Sequence, residues 1–105
     1  MPEVRKIIAA FRERLEVLYG ARLAHLVLFG SHARGDADPG SDIDVLIVFF
    51  GEVNPGEEIK RTGGIVSELS LENDVVISCI FMDEDRYLHR NGPLLRNVRR
   101  EGIAA

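Results

Sequence analysis

The sequence predicts an α/β (α+β) domain, a small mixed β-sheet with helices packed on one face. Three short apolar runs, His25–Phe29, Asp42–Phe49 and Val75–Met82, have the length and β-branched content of buried strands. Segments of helical periodicity stand before, between and after them. With 105 residues and no repeat, linker or low-complexity tract, the chain supports one domain, residues 1–105, around a modest core.

Val4, Ile7, Ile8, Phe11, Leu15 and Leu18 recur at helical spacing, with Arg and Glu on the opposite face, and Gly20 supplies a stop. The first strand ends at Gly30, where the backbone can turn sharply and a ligand can come close. Ser31 is placed as the N-cap of a helix that Gly35 keeps short. Asp38-Pro39-Gly40-Ser41 is turn chemistry ahead of the second strand. Asn54-Pro55-Gly56 makes another turn, and Glu57 to about Leu71 reads as a helix. Gly63 and Gly64 weaken that helix by about 1 kcal/mol each against Ala, a cost that a close packing contact would explain. The third strand ends near Met82, where Asp83-Glu84-Asp85 looks like a helix start. Pro93 and Gly102 bracket a last short helix.

Chemistry concentrates between residues 30 and 44. Gly30-Ser31 follows an apolar strand and opens a helix, so free N–H groups, the helix dipole and the Ser31 hydroxyl favour an anion there. Arg34 lies one turn on and can lean over the same phosphates. Eleven residues after Ser31 comes Asp42-Ile43-Asp44 at the start of the second strand. Strand alternation puts Asp42 and Asp44 on one face, with Cα atoms about 7 Å apart. Two like charges so placed repel unless a cation lies between them. Oxygen ligands with no His or Cys partner suit Mg²⁺ or Mn²⁺. Asp74 opens the third strand and would reach the same metal if that strand lies beside the second; Glu72, of the same parity, is the fallback. Taken singly, each feature has a plainer explanation: a capped turn for Gly-Ser, a polar strand start for Asp-x-Asp, a strand-edge acid for Asp74.

Together, Gly30-Ser31-His32-Ala33-Arg34-Gly35 and Ser41-Asp42-Ile43-Asp44, with a later acid at Asp74, resemble the nucleotidyltransferase superfamily that includes DNA polymerase β. The fuller pattern is similar to the minimal nucleotidyltransferases (MNT), small prokaryotic proteins often paired with a HEPN-domain partner in toxin–antitoxin modules. The likeness spans most of the chain, and the tail Pro93–Gly102 also looks like the end of some members. The resemblance implies catalytic and metal-binding roles for Asp42, Asp44 and Asp74, and nucleotide contacts from Gly30, Ser31 and Arg34. It implies two Mg²⁺ ions, ATP as the nucleotide, and AMP transfer to a tyrosine hydroxyl of a HEPN toxin. A chain this short has little room for its own acceptor pocket, which also points to an acceptor held by another chain.

Composition narrows the classes. A single cysteine, Cys79, excludes a disulfide framework, so a reducing cytoplasm is expected, and its apolar strand makes it a core residue. No apolar run reaches the ~18 residues of a membrane span, and the N-terminus is amphipathic and charged rather than a secretion signal. Net charge is −4 but uneven: +3 over residues 1–35, −11 over 36–85 and +4 over 86–105. The acidic middle would repel a nucleic-acid backbone, so direct nucleic-acid binding is not expected. Three rival readings stay open: a non-catalytic module that neutralises a partner, a nucleotide sensor that binds Mg-ATP without transfer, and, more remotely, a nuclease using the same acids.

Overall fold

The structure is a computed structural model that describes residues 3–105. Helix α1 (Val4–Tyr19) leads through a short 3-10 turn, Gly20–Arg22, into strand β1 (Leu23–Phe29). A four-residue helix, α2 (Ser31–Arg34), and a loop connect to β2 (Ile43–Phe49). Helix α3 (Pro55–Asn73), strand β3 (Ile77–Asp83), helices α4 (Glu84–His89) and α5 (Pro93–Glu101), and a two-residue strand β4 (Ile103–Ala104) complete the chain.

The sheet is mixed, in the order β3-β2-β1-β4. β1 and β2 run antiparallel, with Phe29 opposite Asp44. β2 and β3 run parallel, joined by the α3 crossover, with Asp44 opposite Ser78. Because β2 is central, its residues Val45–Phe49 are fully buried, which explains their continuous apolar sequence.

α1 and α3 cover one face of the sheet. Ile7, Ile8, Phe11, Leu15 and Leu69 pack there against Leu26, Leu28, Ile43, Val45, Ile47 and Phe49. Leu18, which shares the helical spacing, is 43% exposed. The opposite face is also covered, an extension of the expected one-face packing. Leu95 and Val98 of α5 close over Val27, Leu46, Val48 and Met82. The reason lies in β1 and β2 themselves, which are apolar on both faces and so need two layers.

Two details differ from the sequence expectation. α3 starts at Pro55, inside the expected turn, because the Asn54 side chain caps it by accepting from Glu57 N at 3.3 Å. Gly63 and Gly64 have no close packing contact: a methyl group at either would meet nothing within 4 Å. At the end of the sheet where β2 finishes, the fully buried Glu58 carboxylate is satisfied by Arg61 at 3.0 Å, Tyr19 Oη at 3.0 Å and Arg22 at 3.2 Å. Burial and that carboxylate together push the Tyr19 hydroxyl up to about 12.

Candidate active site

The Gly-Ser turn and the Asp-x-Asp strand meet at one end of the sheet. Phe29 is the last residue of β1 and pairs with Asp44, so Gly30-Ser31 leaves the sheet directly beside that carboxylate. Gly30 adopts φ 75°, ψ −158°, a backbone shape that side chains disfavour. A Cβ there would also overlap Asp44 Oδ2. Glycine is therefore required twice over, for the turn and for the close approach of Asp44.

Ile43 points into the α1–α3 core with no exposure, so its neighbours Asp42 and Asp44 face the other side. Asp42 lies just ahead of β2 and is exposed, while Asp44 is half-buried. Burial raises the Asp44 pKa, the Asp42 charge raises it further, and His32 and Arg34 partly offset both. Among the described residues no side-chain hydrogen bond reaches either carboxylate. A close pair of acids without donors is the donor set a hard divalent cation fits.

α2 begins one residue earlier than expected for a Ser cap: Gly30 is the N-cap and Ser31 the first helical residue. Ala33 N and Arg34 N bond to Gly30 O, at 3.1 and 3.0 Å, which leaves the Ser31 hydroxyl outside the helix's own bonding. Gly35 in the left-handed conformation ends the helix. Arg34 donates from Nε to Asp36 at 3.1 Å and from Nη1 to Glu101 at 3.1 Å, and these partners raise its pKa. Gly30, Ser31, Arg34, Asp42 and Asp44 thus come together.

Asp74 does not join them. It is the C-cap of α3, in the left-handed conformation with φ 51°, and its N–H bonds to Ser70 O. β3 starts only at Ile77, three residues later. The Asp74 side belongs to a cleft of about 240 Å³ lined by Pro39, Gly40, Ser41, Val75 and Val76. The β3 residue in register with Asp44 is Ser78. No group of three metal-binding side chains occurs among the described residues. The fallback Glu72 lies within α3.

Two residues without a sequence-assigned role belong to the site. His32 Nε2 lies 3.1 Å from Ser41 O and ties α2 to the loop before Asp42. Glu101, at the end of α5, accepts from Gly30 N at 3.3 Å as well as from Arg34. Their contacts cross 9 and up to 71 residues of sequence, which no motif spacing encodes. The other two histidines, without visible partners in sequence, meet acids on α4: His25 stands 3.3 Å from Glu84 and His89 3.8 Å from Asp85.

The family model described as "Nucleotidyltransferase domain" matches residues 4–101. The chain belongs to the nucleotidyltransferase domain family. Two curated proteins of Methanocaldococcus jannaschii, both provisionally named protein adenylyltransferases, are similar to it. MJ0141 is 38% identical over 74% of this chain and 78% of its own, and MJ0604 is 38% identical over 92% of each. Among solved structures, a toxin–antitoxin complex with AMP-PNP superimposes with TM-score 0.58 at 18% identity, over 90% of this chain and 68% of that one. A Shewanella oneidensis complex of a tri-AMPylated HEPN toxin with its MNT antitoxin gives TM-score 0.51 at 14% identity, over 93% and 70%. These two likenesses establish the fold. No helix among the described residues is long and apolar enough to cross a membrane.

Proposed function

We propose that this nucleotidyltransferase moves AMP from ATP to a hydroxyl of a partner protein, a tyrosine of a HEPN-type toxin, and so acts as an antitoxin. The observation that carries the reading is the seating of Asp44 against Gly30, which joins a two-acid cation site to a phosphate-binding turn. A metal-bound triphosphate needs both within one small volume. The provisional names of both Methanocaldococcus jannaschii relatives support the reaction class. The AMP-PNP complex supports ATP, and the AMPylated HEPN toxin supports the acceptor.

In this mechanism Asp42 and Asp44 would hold a divalent cation, Mg²⁺ or Mn²⁺, by their carboxylate oxygens. Such a cation would supply Lewis-acid chemistry to the acceptor hydroxyl and to the charge of the departing pyrophosphate. Gly30 shapes the turn and lets Asp44 approach it, and Ser31 binds the β and γ phosphates through its backbone N–H and hydroxyl. Arg34 supplies a fixed positive charge beside them. The acceptor oxygen forms a bond to the α phosphorus as the bond from that phosphorus to the α,β-bridging oxygen breaks; pyrophosphate leaves with the bridging oxygen, and the hydroxyl proton passes to solvent. Asp74, at the end of α3, stands outside this ligand set, and Asp42 and Asp44 carry it.

A second reading, a nucleotide-binding module without transfer, draws on the absence of a third carboxylate beside Asp42 and Asp44 among the described residues. Pyrophosphate release from ATP with Mg²⁺ and a HEPN partner separates the two. Release that depends on both acids supports transfer, whereas tight ATP binding with no release supports the module.

A further inference from the structure

The C-terminal helix matches the resemblance yet has no part in the chemistry so far. Its last residue, Glu101, is the most sheltered partner of the phosphate-binding turn, with a side chain 12% exposed. Both of its oxygens accept from Arg34 Nη1, at 3.1 and 3.2 Å, and Oε1 also accepts from Gly30 N at 3.3 Å. One carboxylate therefore fixes the two groups that bracket Ser31.

The backbone beneath Glu101 is held firmly. Leu95 and Val98 anchor α5 in the core, and Gly102 sits so close to it that a Cβ there would overlap the Val98 carbonyl oxygen. Immediately afterwards Ile103 and Ala104 pair with Leu28 and Val27 of β1, the strand that leads into Gly30. The helix and the turn are thus referenced to the same strand. Asp36, the other partner of Arg34, is 62% exposed and only two residues away, so it fixes little. Among the described residues nothing takes Arg34 Nη2, the amino group left to face a ligand.

We propose that Glu101 is the positioning residue for Arg34, holding its guanidinium in the arrangement that receives the nucleotide phosphates. The role rests on the nucleotide-binding reading above. An unheld arginine loses rotamer freedom when it meets a phosphate, and a clamp removes much of that cost beforehand. The opposite possibility is an internal anion that phosphate must displace. It predicts an effect of the opposite sign.

The test is ATP binding and transfer, with Mg²⁺ and the co-purified partner, for wild type, Glu101→Gln, Arg34→Ala and the double variant. Positioning predicts that E101Q raises the KM and Kd for ATP about three- to tenfold with kcat within about twofold. In the R34A background the same change adds less than about twofold, because Glu101 acts through Arg34. An unchanged or lowered KM in E101Q overturns the proposal, as does a full effect that persists without Arg34. If E101Q melts early, Glu101→Asp, which keeps the charge one methylene back, must show the KM rise instead. Wild type that neither binds ATP nor releases pyrophosphate overturns the functional reading itself and the positioning role with it. Wild type that binds ATP while E101Q matches it overturns the positioning role alone.

Discussion

Asp44 shows how a single side chain serves function at the expense of stability. Burial and the neighbouring Asp42 charge raise its pKa, so the ionised group weakens the folded state. That penalty is present above the folded pKa and fades as falling pH protonates the carboxylate. Asp44→Asn should therefore melt about 2–5 °C higher than wild type at pH 7 without metal. The gain should shrink as pH falls and wild type itself becomes protonated at this position. Transfer activity should fall at least about a hundredfold in the same variant. Glu58 is the opposite case, a buried acid that the fold satisfies with Arg61, Arg22 and Tyr19. Glu58→Ala leaves two arginines without their shared partner and should cost about 3 kcal/mol in urea titrations. The pairing was not legible in sequence, since Arg22 and Glu58 are far apart in the chain and look like ordinary surface charges. That Gly30, Ser31, Asp42 and Asp44 lie together was legible because their order follows a strand–turn–strand path.

At the scale of elements, helical periodicity located α1, apolar runs located β1, β2 and β3, and the bracketing Pro93 and Gly102 located α5, each to within a few residues. Asp74 shows where that reasoning stops. An acid before an apolar run looks like a strand start, yet α3 continues through Asn73 and Asp74 closes it in the left-handed conformation. The strand begins only after that cap. β4 escaped notice because a two-residue strand has no period to read, and its pairing with β1 comes from the placement of α5. Gly102 is the hinge of that placement. Its φ of −66° suits any residue, so Gly102→Ala acts purely through the overlap with Val98 and the 2.8 Å approach to Val27 Cγ1. It should destabilise by about 1–3 kcal/mol. In α3 the opposite holds. Gly63 and Gly64 are exposed with open space around them, so Gly63→Ala or Gly64→Ala should each stabilise by about 0.5–1 kcal/mol, read as a higher denaturation midpoint.

For the whole molecule, the mixed sheet brings the Gly30-Ser31 turn and the Asp42–Asp44 pair to one end. The uneven charge of the chain acquires a spatial meaning: the acidic pair of β2 meets Arg34 and His32 of α2 at that end. The fold class followed from three strands and their flanking helices, and the family followed from the joined motifs. The second helical layer did not, because a short C-terminal helix with four charged residues in nine gives little sign that Leu95 and Val98 complete a core. In the proposed function the acceptor is held by a partner chain. The most direct measurement is transfer of labelled AMP from ATP, with Mg²⁺, to a co-expressed HEPN partner, comparing wild type with the Asp42→Asn/Asp44→Asn double variant. The account predicts label on a tyrosine of the partner with wild type and none with the variant. Equal labelling by both proteins, or nucleotide binding by wild type with no label and no pyrophosphate under either metal, would contradict it.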